Sequence, residues 1–456
     1  MRFFLCTLCW FLLSNLAHAQ LSVSPDGRYL VGPDNKPFFW MGDTAWELFH
    51  RLNREETLVY LKNRADKGFT VIQAVVLAEL DGLHSPNAYG YTPLRNDDPL
   101  QPVEAYFTHV DWVIREAEKL GLYIGLLPTW GDKIFKDSWG TGPEIFRTDN
   151  ARAYGNWLGK RYAGHKNIIW ILGGDRNPRN ETDLAVWRAM ATGIEAGCGG
   201  GDKALMTFHP QPNGLADGGS ARWFHNDAWL DFNMFQTGHC RENQLRERIS
   251  VAYNRKPVKP VVNGEPIYED HPVCFNARDL GTSSAYDVRM QAWLSVFAGA
   301  TGHTYGCHGV WQMYDSGRTP VNGPHFTWKK SLDLPAAGQM RYLRHLLMSR
   351  PMQERGPAQD LLLDAGTESS RIQCLRGPDH ILVYAAQGGQ IRLKLPHAAT
   401  WRGWWYDPRN GKSKEAVLKA VTEGLEAESP GAGYGQDWVL ILDAAPSDYP
   451  DPAFQR

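Results

Sequence analysis

From Phe38 onward, short apolar runs alternate with longer stretches in which apolar residues recur at helical spacing. The runs cover 38–41, 71–77, 123–129, 168–173, 204–209, 231–236, 261–263 and 301–305, and each predicts a strand. The stretches between them predict helices over 54–67, 103–120, 150–163, 181–196, 242–254, 283–298 and 336–348. Asn53 is placed to cap the first of these helices. Gly68, Gly121, Gly164 and Gly197 directly follow the first four, where a glycine stop is expected. The connection 211–230 carries the weakest helical pattern. Strands alternating with helices in this way predict an α/β fold, a (β/α)8 TIM barrel. Ahead of it, Pro25, Asp26 and Gly27, then Gly32, Pro33, Asp34 and Asn35, mark the turns of a small hairpin. Beyond Pro351 the pattern shortens to runs at 372–375, 381–385, 390–395, 400–406 and 438–442, separated by turn residues. That pattern predicts a C-terminal antiparallel β-sandwich domain. The expected organisation is therefore a leader over 1–19, a barrel with its hairpin over 20–350, and a sandwich over 351–456.

The first nineteen residues change the picture of where the protein works. Met1 and Arg2 give a positive start, residues 3–13 are apolar, and Ala17, His18 and Ala19 form a small-x-small cleavage site. This is the pattern of a signal peptide, with Gln20 as first mature residue and export to the periplasm or medium as the expectation. The apolar stretch is too short to span a bilayer, and no later run is long enough. Cys6 and Cys9 leave with the leader, and Cys198, Cys240, Cys274, Cys307 and Cys374 remain. Their spacing matches no zinc pattern. Export permits a disulfide; Cys240 with Cys274 is the favoured pair, because both fall in loops on one face, and free buried thiols are the alternative. The net charge of −2 argues against a nucleic-acid partner. Eighteen Trp residues are far above ordinary usage and suit a sugar-binding cleft, although many must also serve the core. A monomer is expected.

In such a barrel the active site lies at the C-terminal ends of the strands. Those ends carry Asp43 and Trp46 after the first strand, Gln73 and Glu79 around the second, and Trp130 and Asp132 after the third. Asp175, Arg176 and Asn177 follow the fourth, His209 ends the fifth, Gln236 and His239 the sixth, and Glu265 the seventh. Tyr305, His308 and Trp311 follow the eighth. Asp175 and Glu265 stand apart, because each ends an apolar run with no other charge in it. Two carboxyl groups at one barrel mouth are what glycoside hydrolysis needs, one to protonate the leaving oxygen and one to attack or to activate water. Structural readings exist for both: an N-cap or a pair with Arg176 for Asp175, a buried salt bridge for Glu265. Glycines 173 and 174 allow the backbone to approach a ligand. Trp130 and Trp170 are candidates for the apolar surroundings an acid would need. Asp43, Trp46, Trp130, Arg176, His209, Gln236, Tyr305, His308 and Trp311 are expected to contact substrate. His209, His239 and His308 keep a metal-dependent hydrolase open as a competing class, but no closely spaced metal motif joins them. No cofactor or metal is expected.

The strand-end segments 39–46 (Phe-Trp-Met-Gly-Asp-Thr-Ala-Trp), 169–175 (Ile-Trp-Ile-Leu-Gly-Gly-Asp) and 262–265 (Val-Asn-Gly-Glu) resemble the apiosidase-like family, glycoside hydrolase family 140. His303, Thr304, Tyr305, Gly306, Cys307 and His308, followed by Trp311, add to the likeness, which covers roughly residues 21–350. The C-terminal segment resembles the collagen-binding-type β-sandwich that follows such barrels. The resemblance implies a retaining barrel of clan-A type with Asp175 as acid/base and Glu265 as nucleophile. Most of that clan carries Asn-Glu after the fourth strand; this chain has Gly174 and Asp175, as the apiosidase-like family does. The implied substrate is a pectic glycan, with release of apiose-linked side chains from rhamnogalacturonan II. An anionic galacturonate backbone leads to the expectation of cationic or hydrogen-bonding groups on the leaving-group side of the cleft, with Arg176 and His209 as candidates. Two alternatives stay open: action on another furanoside or β-linked polysaccharide, and a non-catalytic carbohydrate-binding barrel.

Overall fold

The computed structural model describes residues 20–455 apart from 138, 396–399 and 446. The expected leader lies outside the described residues. Eight parallel strands form the central sheet: β1 (Trp40–Thr44), β2 (Val71–Leu77), β3 (Tyr123–Thr129), β4 (Ile168–Gly173), β5 (Met206–His209), β6 (Asn233–Gln236), β7 (Val261–Glu265) and β8 (Gly302–Tyr305). Their order is β5-β4-β3-β2-β1-β8-β7-β6. The seam between β5 and β6 closes through a few bonds instead of a ladder. Asp231 N–H donates to Met206 O at 2.9 Å, Met206 N–H to Asp231 Oδ2 at 2.7 Å, and Thr207 Oγ1 to Phe232 O at 2.6 Å.

The strands are apolar throughout because both faces are covered. On β4, Ile169 and Ile171 point into the barrel, while Ile168, Trp170 and Leu172 point at the helices. Trp170 packs against Tyr162 in the outer layer, so it does not supply apolar surroundings for Asp175. β2, β3 and β4 have the bounds the pattern predicts. β1 starts two residues later than predicted and runs on to Thr44, which places Asp43 inside the strand instead of beyond it. β7 continues through Glu265.

The helical layer contains α1 (Arg54–Asp66), α2 (Glu104–Lys119), α3 (Thr148–Tyr162), α4 (Glu181–Cys198), α5 (Leu245–Tyr253), α6 (Ala285–Phe297) and α7 (Pro335–Met348). Asn53 caps α1 in a reciprocal box: its Oδ1 accepts from Glu56 N–H at 2.9 Å, and Glu56 Oε2 accepts from Asn53 N–H at 3.3 Å. The weak connection between β5 and β6 holds one helical turn, Ala221–Phe224. The predicted stop at Gly197 is not one. α4 continues and ends at Gly199, which takes the left-handed conformation with φ 87°. Gly197 serves packing: a Cβ there would lie 2.4 Å from Asn156 O, and one at Gly193 would lie 2.2 Å from Arg152 O. These glycines let α3 and α4 touch backbone to backbone.

The C-terminal domain comprises β9 (Gly356–Pro357), β10 (Ile372–Arg376), β11 (His380–Ala385), β12 (Gly388–Leu393), β13 (Trp401–Tyr406), β14 (Ser413–Glu415), β15 (Lys419–Val421), β16 (Gly424–Ala432) and β17 (Trp438–Ala444). A six-stranded sheet, β9-β10-β11-β17-β13-β14, faces a three-stranded one, β12-β16-β15. β14, β15 and β16 carry charged and small residues without a continuous apolar run, and the hydrophobic pattern misses them. The domain is bolted to α6 and α7. Arg289 makes a two-pronged pair with Asp437 (2.9 and 2.6 Å), and Arg350 does the same with Asp443 (2.8 and 2.7 Å). Trp293 stacks on Tyr384, with centroids 5.6 Å apart. Trp404 and Trp405 are buried, so they form no exposed sugar platform. No helix among the described residues is long and apolar enough to cross a membrane.

Candidate active site

The catalytic candidates meet because each strand end is bent by a local device. At the end of β4, Gly173 and Gly174 have φ of 91° and 108°, and Asp175 itself is left-handed at 55°. A Cβ on Gly173 would lie 2.2 Å from His209 O, and one on Gly174 would lie 2.8 Å from the Trp130 ring. Only a glycine pair lets the chain turn this closely against β5 and the loop after β3. Gly174 N–H then donates to His209 O at 3.0 Å, and Gly131 N–H donates to Gly174 O at 2.9 Å. At the other side, the β6–β7 register shifts so that Gln236 stands opposite Glu265. Thr237 N–H holds the Glu265 carbonyl at 2.9 Å.

Asp175 and Glu265 line one cavity of about 610 Å³ at the barrel mouth. Trp46, Trp130, Gln236 and Trp311 line it too, as their rim positions suggest. The remaining candidates lie behind the wall. Asp43 is fully buried, with Oδ2 accepting from Arg64 Nε at 2.7 Å and from Tyr60; it belongs to an internal ion pair, not to the cavity lining. Tyr305 donates to Glu269 Oε2 at 2.7 Å beneath the site. His308 bonds Asn322 O through Nε2 at 3.2 Å and accepts from Trp311 Nε1 at 3.2 Å, so it positions Trp311. The Arg176 guanidinium turns away from the cavity. It donates to Phe135 O (3.1 Å), Lys136 O (3.0 Å from Nη2) and Asp175 O (2.6 Å), and it lies 4.5 Å from the Trp139 ring centroid. His209 sits under Glu265. The strand pattern did not reach Trp139, Tyr268, His271 and Phe275, which complete the cavity from loops. Their one sequence signal is position: Tyr268 and His271 fall just after Glu265. Glu79 and His239, noted at strand ends, line it as well.

The disulfide Cys240–Cys274 ties the loop after β6 to the loop carrying Phe275. It therefore fixes the wall next to His239. Cys198, Cys307 and Cys374 are free and buried.

The two carboxyl groups are pushed to opposite proton affinities. Burial raises Glu265, but polar contacts from His209 and His239 outweigh it and hold the carboxyl well below the usual carboxylate range. His209 Nε2 lies 3.0 Å from Oε2, and His239 Nε2 lies 3.4 Å from Oε1. Asp175 is raised to about 6, first by burial and then by the negative charge of Glu265, against the opposing charge of Arg176 at 3.7 Å. Burial also pushes the His271 imidazole down to about 2, so it stays neutral. One group kept ionised and one able to keep its proton, in one cavity, suit the roles of nucleophile and acid/base. Among the described residues no three His, Cys, Asp or Glu side chains converge as metal ligands.

A family model described as "Apiosidase-like, catalytic domain" matches residues 24–354. A second, "Putative collagen-binding domain of a collagenase", matches residues 357–443. A glycoside hydrolase family 5 structure from Bacteroides vulgatus ATCC 8482 is 32% identical over 96% of each chain, with a TM-score of 0.85. A structure described as "Glycoside hydrolase" is 34% identical over 95% of this chain and 98% of its own, with a TM-score of 0.84. A family 39 glycoside hydrolase from Bacteroides cellulosilyticus WH2 shares the fold alone, at 12% identity over 93% of this chain and 82% of its own, with a TM-score of 0.52. No curated protein matches the chain.

Proposed function

The chain belongs to the apiosidase-like glycoside hydrolases, and from that premise we propose that it is a retaining enzyme with Asp175 as acid/base and Glu265 as nucleophile. The observation that carries the assignment is the split in proton affinity between two carboxyl groups facing one cavity. A Glu265 oxygen attacks the anomeric carbon. The bond to the leaving oxygen breaks with its electron pair, and that oxygen takes the proton of Asp175. Water then attacks the same carbon, giving its proton to Asp175 as the bond to Glu265 breaks. Two inversions return the original configuration. His209 and His239 keep Glu265 ionised before attack and stabilise it again as it departs.

The substrate we propose is rhamnogalacturonan II, with release of an apiose-terminated side chain from the galacturonate backbone. Family membership supports this choice. Aromatic side chains on several sides of the cavity suit a sugar ring, whose C–H faces pack on indole. The leader pattern makes the enzyme an exported one, to be looked for in periplasm or medium.

The test combines substrates and variants. Rhamnogalacturonan II is digested beside xylan, mannan, β-glucan and arabinan, with sizing of products and NMR of the newly released anomeric centre. Turnover of one of the four with none on the pectin overturns the substrate, and an inverted product overturns retention. Glu265→Ala abolishes glycosyl transfer to the enzyme on every substrate. Asp175→Ala loses about 10²–10⁴-fold on poor leaving groups but still forms the intermediate from an activated aryl glycoside, and azide releases it. An equal loss on both leaving groups removes Asp175 from the acid role.

A further inference from the structure

Glu79 is a third carboxyl in the cavity, and the mechanism does not use it. It follows β2 on a pinned turn. Its carbonyl accepts from Thr141 Oγ1 at 2.7 Å, and the next residue, Leu80, donates its N–H to Glu47 Oε1 at 3.2 Å. No hydrogen bond from a described residue reaches its carboxyl, although part of that side chain faces the cavity. Burial, then the negative charges of Asp175 and Asp132, raise it well above the usual carboxylate range. A carboxyl held there with no hydrogen-bond partner among the described residues is a group suited to bond a ligand.

The charges around it are one-sided. No lysine or arginine is among the described residues that line the cavity. Arg176 and Lys133 are both committed behind the wall. Arg176 spends its donors on three main-chain carbonyls. Lys133 is fully buried between Asp132 Oδ1 (2.7 Å) and Ala78 O (2.9 Å). Recognition of a uronate normally takes a fork of guanidinium or ammonium donors. A uronate here would share the cavity with the Glu265 carboxylate, which is held ionised, and would meet no lysine or arginine to answer its charge. Uncompensated like charge in a partly buried site is a standard way to reject a ligand.

We infer that Glu79 is a specificity residue that hydrogen-bonds a hydroxyl of the sugar on the wall it shares with Asp175, Trp130 and Trp139, and that this sugar is uncharged where it meets Glu79. The inference rests on the glycosidase reading of the cavity and narrows it. On a galacturonate backbone, the unit against Glu79 is one whose carboxyl is esterified or turned to solvent.

The experiment uses the mature enzyme with Glu79→Gln and Glu79→Lys beside wild type. One arm measures kcat/KM on rhamnogalacturonan II and on the same pectin after carboxyl reduction, which converts galacturonate to neutral galactose. Wild type favours the reduced polymer. Glu79→Lys moves the ratio toward the acidic polymer at least tenfold, and Glu79→Gln moves it less in the same direction. An unchanged ratio in both variants overturns the proposal. The second arm needs no turnover: tryptophan fluorescence is titrated with methyl galactoside and methyl galacturonate. Wild type responds at lower concentration to the neutral sugar, and Glu79→Lys reverses the order. Equal response of wild type to both sugars, or response to neither, also overturns it. If wild type cleaves neither polymer while the fluorescence order holds, the pectin reading fails and the role of Glu79 stands.

Discussion

Asp175→Asn is expected to stabilise the protein at neutral pH while destroying its acid catalysis. The carboxyl rises from an ordinary 3.8 to about 6 in the folded chain, chiefly through burial and then through the charge of Glu265. A rise of that size corresponds to about 3 kcal/mol, at about 1.4 kcal/mol for each factor of ten in proton affinity. The sign follows from linkage. Because the folded-state affinity is the higher one, the favourable contribution is fully present below about pH 3.8 and is lost as pH rises through 6. Above that, wild type bears the full cost of an ionised Asp175 in the folded state. Asparagine has no such cost, so the gain of the variant is absent at pH 3.5 and grows to as much as about 3 kcal/mol by pH 8. Packing changes that do not depend on pH cancel in the difference between the two conditions. Urea denaturation of both proteins at each pH, compared at equal m, measures it. A variant advantage that is the same at both pH values, or that shrinks toward pH 8, refutes the argument. The same rise predicts that kcat/KM of wild type declines on the basic side with a midpoint near 6, and that Asp175→Asn lacks that limb in its residual activity.

Two further outcomes are expected. Arg289→Ala strands Asp437 in the domain interface, at 0% side-chain exposure, and should lower stability by about 3–5 kcal/mol, read as a lower Tm; an unchanged Tm would show that the pair contributes nothing to docking. Exhaustive EDTA treatment should leave turnover intact, whereas a loss restored specifically by zinc would favour the metal-hydrolase alternative.

The roles of the strand-end residues divide by what a linear pattern can carry. Asp175 and Glu265 were legible because a charge at the end of an apolar run is costly unless the strand delivers it to a rim. Trp46, Trp130, Gln236 and Trp311 were legible for the same reason of position. Asp43 shows where that logic stops. It lies among the same strand-end residues, but β1 extends past it and Arg64, from α1, claims its carboxylate inside the barrel wall. Arg176 is a charged neighbour of Asp175 in sequence, yet main-chain carbonyls of the loop after β3 capture its guanidinium. Gly197 had the place of a helix stop and turned out to be a helix contact.

The sequence by itself determined the barrel, the sandwich behind it, and the delivery of Asp175 and Glu265 to the mouth. Hydrophobic periodicity, strand length and glycine placement are local properties, and they sum along the chain. The tertiary structure decided what each group does once there. Proton affinity depends on burial and on charges brought in from other strands, as His209 and His239 do for Glu265. Whether a polar side chain faces ligand or protein depends on which partner the fold brings within about 3 Å. Loops supplied Trp139, His271 and Phe275, and their direction is set by the disulfide Cys240–Cys274 and by contacts far apart in sequence. No periodicity records such contacts, because the partners meet only when the barrel closes.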